Sequence, residues 1–290
     1  MLKKLKEYKL FESSPGAGKD KTKVKYPGVR DAVDGNTAVV HVEREASDAA
    51  GAYPITPSTQ MGEYWAEAVA QGHLNISERP LIFIEPESEH AAAGVTAGMS
   101  MAGLRATNFS SAQGVAFMHE SLYAAVGKRL PYVLNMGCRA ITKASLNVHC
   151  GHDDYHCVDD TGFIQVMAKD AQGAADLNLI GRKVAELSLT PAIIGQDGFL
   201  TTHLIESVRL PERELVAEYS GQAGRRHRHA DAGPGHALRP DAPPCAGDLG
   251  RRCAAALGIG AEPGCLHAGG GRTAAVFLRP YRGDHRTLHG

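Results

Sequence analysis

Apolar residues gather into continuous runs in some places and into helical stripes in others. PLIFIEPES (80–88) and PYVLNMGCR (131–139) are uninterrupted enough to predict strands buried on both faces, and PAIIGQD (191–197) reads as a further strand. GAYPIT (51–56) predicts a short buried strand that must stop in a fixed turn, because Pro54 and Pro57 restrict the backbone and remove donors. RATNFSSAQG (105–114) predicts strand then turn. Between these lie stretches of helical period. GNTAVVHVEREAS (35–47) opens on Gly-Asn as a cap. Ser58 is expected to cap a helix running through Gln71 with Met61, Tyr64, Trp65 and Ala68 on one face. Glu89–Leu104 is a helix of small residues, suited to close packing, and VAFMHESLYAAVGKR (115–129) is an amphipathic one. A long loop, ITKASLNVHCGHDDYHC (141–157), leads to FIQVMAKD (163–170) and a helix over AADLNLIGRKVAELS (174–188).

Strand and helix alternate throughout. The predicted fold class is therefore α/β, a parallel sheet flanked by helices. In open sheets of that kind ligands meet the loops at the carboxyl ends of strands. Here those ends are Ile55–Ser58, Glu85–Glu89, Ser110–Gly114, Gly137–Ala140 and Gln196–Gly198, and they are unusually polar.

Composition narrows the picture. A hydrophobic fraction of 43% is enough for a real core, and a net charge of -1 gives no electrostatic case for nucleic acid or an anionic membrane. No apolar run approaches the roughly 18 residues of a membrane span. The basic start, MLKKLKEYKLFESS, has no apolar segment after it and reads as a polar arm, with residues 1–34 preceding the domain. The six cysteines form no CxxC pair, which predicts reduced thiols in a cytoplasmic protein.

Residues 221–290 differ from the rest. They hold 14 Gly, 13 Ala, 10 Arg and 6 Pro but no Lys, Ser, Asn, Met or Trp, too biased for a packed core. A low-complexity tail fits that content. A GC-rich gene read out of frame fits it better, since these four residue types can be written with G and C alone. The domain is accordingly assigned to 35–220, and no function is drawn from residues 221–290.

YPITPST (53–59) with MGE (61–63) resembles the opening signature of pyruvate:ferredoxin (flavodoxin) oxidoreductases and related 2-oxoacid:ferredoxin oxidoreductases. EPESEHAAAGVTAGMSMAGLRATNFSSAQG (85–114), GCRAIT (137–142), GHDDYH (151–156), TGF (161–163) and QDGFLTTH (196–203) follow in the family's order. The resemblance covers roughly residues 35–219 and implies the pyrimidine-binding domain of a thiamine-diphosphate enzyme. It implies that Glu89 hydrogen-bonds the cofactor's pyrimidine ring, favouring the imino form that accepts the thiazolium C2 proton. Thr56 and Arg139 would hold the carboxylate of the 2-oxoacid, for which the guanidinium fork is suited. Tyr53, Pro54, Ile55 and Gln113 would contact the cofactor.

Plainer readings stand beside these. An acid in a helix's first turn is often only structural. Thr56 between prolines can complete its turn by a hydroxyl–backbone bond, and Arg139 can pair with a structural acid. Gln113-Gly114 and Asp197-Gly198 are often turn chemistry. The cluster His149, Cys150, His152, Asp153, Asp154, His156 and Cys157 suggests zinc at first sight but lacks a second remote pair. It reads instead as the family's Gly-His/Asp segment near substrate or a subunit contact.

The resemblance further implies that Mg²⁺ and [4Fe–4S] clusters belong to other domains or subunits, since no GDG-type or Cys-rich segment is seen here. Expected partners are those domains, ferredoxin or flavodoxin, coenzyme A and a second copy of the chain. The expected activity is oxidative decarboxylation of a 2-oxoacid, pyruvate by default, to an acyl-CoA. Two other readings remain open: an inactive truncated or frameshifted remnant, and a different thiamine-dependent decarboxylase or transketolase-like subunit.

Overall fold

The structure, a computed structural model, describes residues 24–143 and 145–221. The biased segment after 221, with the frameshift reading attached to it, and the first 23 residues lie outside the described residues. Six strands form one parallel sheet: β2 (Ala49–Gly51), β3 (Ile82–Ile84), β4 (Ala106–Ser110), β5 (Val133–Cys138), β6 (Ile164–Ala168) and β7 (Ala192–Asp197). Their order across the sheet is β3-β2-β4-β5-β7-β6, every neighbouring pair parallel. The α/β parallel-sheet prediction holds. Outside it, β1 (Val29–Val33) and β8 (Glu206–Leu210) pair antiparallel as a separate ribbon. Residues 29–33 of the expected N-terminal arm are therefore a strand.

Helices cover both faces. Val39 and Val40 of α1 (Gly35–Ala46), Met61 and Trp65 of α2 (Thr59–Ala70) and Ala174 of α7 (Ala171–Ser188) pack on one side with Phe109 of β4. Trp65 is fully buried, its ring centroid 6.1 Å from that of Phe109 and its indole N–H donating to the Ile82 carbonyl at 3.1 Å. The other side holds Ala93 and Met99 of α3 (Glu89–Met101) and Leu122 of α5 (His119–Gly127), packed with Leu134 and Met136 of β5. Alternating residues of a strand face opposite layers, so each central strand feeds both cores. The chain continues into α8 (Arg213–Ser220), whose end is bolted to the start of β4: the buried Arg105 guanidinium donates to the carbonyls of Ser220 and Gly221 and pairs with Glu186 at 2.7 Å.

Several local expectations are corrected. The 80–88 run yields only a three-residue strand at the sheet edge, with Ile82 and Ile84 42% and 44% exposed, because among the described residues nothing covers that margin on their side. The cap of α1 is Asp34, whose carboxylate accepts from Thr37 N–H at 2.7 Å, rather than Gly-Asn. Ser58 makes no side-chain cap on α2; its hydroxyl closes the preceding turn instead. The 51–56 segment is a strand only at its first residue, since Pro54 and Pro57 offer no ladder donors. The single helix expected over 115–129 is two, α4 (Ala112–Phe117) and α5, broken at Met118, and the long loop contains the four-residue helix α6 (Asp153–His156).

Candidate functional site at the carboxyl ends of the strands

After β2 the chain turns through Tyr53–Ser58. Ser58 donates to the Ile55 carbonyl twice, from its N–H at 2.9 Å and its hydroxyl at 2.8 Å. The fully buried Asn36, first turn of α1, reaches across to donate to the Pro57 carbonyl at 3.0 Å. The peptide bond Thr56-Pro57 is cis. Ser58, not Thr56, closes this turn; the carbonyl of Thr56 is left facing the end of β5.

Arg139 meets it there. Its side chain is buried, with one guanidinium nitrogen donating to the Thr56 carbonyl at 2.5 Å and another to Gln113 Oε1 at 2.7 Å. Among the described residues no carboxylate lies within ion-pairing distance of the guanidinium, and its Nε has no partner. Burial lowers the Arg139 pKa from the ordinary arginine value, against the opposing charge of Asp154. Even so an arginine stays cationic at neutral pH. A buried guanidinium with no carboxylate in direct contact is costly, and an anionic ligand would relieve that cost. The nearby structural acid, Asp154, bonds the backbone N–H of Arg139 and leaves the guanidinium itself without an ion pair among the described residues.

Glu89 opens α3 behind the cap Ser88, whose hydroxyl accepts from Ala91 N–H at 3.2 Å. The Glu89 side chain is half-buried and lies against Gly114. A Cβ at Gly114 would sit 2.8 Å from Glu89 Oε1 and 2.8 Å from Ser110 Oγ, so any side chain there would displace both groups. The hydroxyls of Ser110 and Ser111 are buried without partners. Unsatisfied buried donors beside a carboxylate fit a polar ligand that would complete them.

The structure thus brings Thr56, Arg139 and Gln113 into direct contact and sets Glu89 beside the residue following Gln113. Ile55 belongs to the same turn. Tyr53 and Pro54 instead line a neighbouring cleft of about 110 Å³ with Ala52, Phe83, Glu85 and Phe109. That volume is well under the roughly 300 Å³ of a small-ligand pocket. These residues supply one wall of a site, not an enclosure.

Two residues that matter most to this geometry escape sequence reasoning, which places Asn36 in a helix cap and Asp154 in a contact loop. Asp154 is fully buried, and its carboxylate accepts the backbone N–H of both Ala112 and Arg139. Three other members of the His/Cys/Asp cluster are engaged elsewhere: His152 with Asp197 at 2.7 Å, His156 with Asp159 at 3.1 Å and Asp153 with Lys143 at 3.0 Å.

The arrangement defines a class: an α/β domain with an acid, a buried arginine lacking an ion pair and orphaned hydroxyls at its strand ends, one wall of a site for a polar, anionic ligand. Comparison with known proteins makes this specific. The family model described as pyruvate flavodoxin/ferredoxin oxidoreductase, thiamine diP-bdg, matches residues 41–251, and the chain belongs to that family. It is 42% identical over 182 residues to the pyruvate synthase subunit PorA of Pyrococcus abyssi, covering 62% of this chain and 45% of that protein. It is 34% identical over 218 residues to the pyruvate-flavodoxin oxidoreductase of Enterobacter agglomerans, covering 75% of this chain and 18% of that one. The chain therefore spans less than half of each of these relatives. A solved 2-oxoglutarate:ferredoxin oxidoreductase from Magnetococcus marinus shares the fold with a TM-score of 0.57 at 21% identity, over 78% of this chain and 44% of that one.

Proposed function

We propose that this chain supplies the pyrimidine-binding wall of a thiamine-diphosphate-dependent 2-oxoacid:ferredoxin or flavodoxin oxidoreductase, and that the assembled enzyme decarboxylates a 2-oxoacid, pyruvate foremost, to an acyl-CoA. The observation that carries this reading is Arg139: a buried guanidinium with no ion pair among the described residues, held by the Thr56 carbonyl and Gln113 with Glu89 close by.

Thiamine diphosphate, when bound, would supply a thiazolium carbon that becomes a nucleophile on losing its proton to the cofactor's own imino group, and a ring that can take up the electrons released by decarboxylation. Glu89 would hold a proton at the pyrimidine ring nitrogen and so favour the imino form of its amino group. Arg139 and Thr56 would bind and orient the substrate carboxylate, and Tyr53, Pro54, Ile55 and Gln113 would line the cofactor. Ser110 and Ser111 stand ready to bond polar ligand atoms. The Pyrococcus and Enterobacter relatives are named for pyruvate, which favours the smaller substrate. Mg²⁺, iron–sulfur clusters and the coenzyme A and ferredoxin contacts fall to other domains or subunits, with a second copy of the chain as a further expected partner; a cytoplasmic location is part of the same proposal. Among the described residues no helix is long and apolar enough to cross a membrane.

The test is hydrogen–deuterium exchange at C2 of bound thiamine diphosphate in the assembled enzyme. Glu89→Ala is expected to abolish it; exchange at the wild-type rate would remove Glu89 from the mechanism.

A further inference from the structure

Asp154 lies on α6 and bonds none of the side chains that the proposed chemistry uses, yet solvent reaches none of it. Its Oδ2 accepts from Ala112 N–H at 2.7 Å and from Arg139 N–H at 2.9 Å, while Oδ1 accepts from Tyr155 N–H at 2.8 Å. Ala112 follows β4 and Arg139 follows β5, so a single oxygen joins the carboxyl ends of two adjacent strands. It does this just past the point where their own ladder stops, at Ser110 beside Met136. Ala112 has a φ of 44°, a left-handed backbone that an alanine adopts only when something holds it. As the first residue of α4 its N–H has no helical acceptor. Two donors that the fold leaves open are met by one charged acceptor, the stronger kind.

What hangs from those two amides is the site. Beyond Ala112 come Gln113, which takes the Arg139 guanidinium, and Gly114, on which Glu89 rests. We propose that Asp154 is a positioning residue: by tying Ala112 to Arg139 it sets the spacing between the Glu89 seat and the guanidinium. Its role as a clamp stands on geometry alone, whereas its effect on turnover rests on the function proposed above.

Burial pushes the Asp154 carboxyl up to about 6, against the pull of the amides that bind it. Several other ionisable groups lie around it. Arg139 remains cationic, Cys138 is pushed well up by burial, and Cys157 is pushed up to about 11, again chiefly by burial. Asp153 is turned to Lys143 and His152 to Asp197.

The clamp is read directly by following backbone amide resonances of the ¹⁵N-labelled chain from about pH 4.5 to 8. Ala112 and Arg139 are expected to shift together through one inflection near pH 6, lost in Asp154→Asn and kept in the control His152→Gln. Independent titrations, or an inflection that survives Asp154→Asn, would overturn the clamp. The Arg139 Nε–H resonance should also move in Asp154→Asn; if it stays in place, the carboxylate positions nothing. In the assembled enzyme Asp154→Asn is expected to raise KM for the 2-oxoacid about tenfold while kcat falls less than about threefold, the signature of a lost binding geometry rather than lost chemistry. An unchanged KM would refute the positioning role. A wild-type assembly that turns over no 2-oxoacid, with the amide titrations as described, would instead sink the functional reading and leave the clamp.

Discussion

Gly114→Ala separates the stability of this domain from its chemistry. A Cβ at that position would lie 2.6 Å from Glu89 Cγ and 2.8 Å from both Glu89 Oε1 and Ser110 Oγ. Carbon atoms rest about 3.5–4.0 Å apart, so the Glu89 side chain must retreat by roughly 1 Å. The half-buried Glu89 side chain and the buried Ser110 hydroxyl can both give way by rotating, at a combined cost of about 1–2 kcal/mol. Alanine in place of glycine within a helix returns about 1 kcal/mol. The two nearly cancel, and urea unfolding should place the variant within about 1 kcal/mol of the wild type. A displacement of about 1 Å in a positioned catalytic group, by contrast, can cost about 100-fold in rate. C2 exchange of thiamine diphosphate in the assembled enzyme should fall by about that factor, with cofactor affinity little changed. A stable variant that exchanges at the wild-type rate would show that Glu89 does not act where its side chain now lies.

Arg139→Met should raise KM for the 2-oxoacid by about 10- to 100-fold, the equivalent of one charge-assisted contact of about 1.5–3 kcal/mol, and steady-state kinetics on the assembled enzyme would show it. Its thermal stability should change little, because removing a buried charge that has no ion pair offsets the two lost bonds to Thr56 and Gln113. Asp154 carries a distinct pH signature. Its folded pKa, about 6, is raised above the ordinary 3.8, so the associated stability is fully present below pH 3.8 and is lost as pH rises through 6. Unfolding free energy of the wild type minus that of Asp154→Asn should therefore drop by about 3 kcal/mol between acid and neutral pH. A difference that stays flat across this range would show that the carboxyl is not buried as described.

The central architecture was legible where β5 and β7, covered on both faces, open on apolar runs; β4 is just as buried yet carries Thr107, Asn108 and Ser110, and was read from its place between two helical stretches. The ribbon of β1 and β8 was not: four of the five β1 residues are exposed, so the segment has no apolar pattern to announce it. The 80–88 run misled for the opposite reason. Ile82 and Ile84 are as apolar as buried residues, but composition cannot say that a strand lies at a margin. Arg139, Thr56 and Gln113 could be grouped in advance, since all lie at strand ends and parallel strands bring their ends together. Asn36 and Asp154 could not. Each side chain serves backbone groups on another element, Pro57 for one and Ala112 and Arg139 for the other, and carbonyls and amides have no letter in a sequence.

The seating of Trp65 makes the molecule self-reporting. It is the chain's one tryptophan, wedged between the edge strand and Phe109, whose next residue is Ser110. Its indole is sealed from water in the native state and hydrogen-bonded to β3, so its emission lies to the blue when folded and moves red as that margin of the sheet opens. Ligands that settle at the end of β4 act one residue from the fluorophore's neighbour, and titrating them needs no added dye.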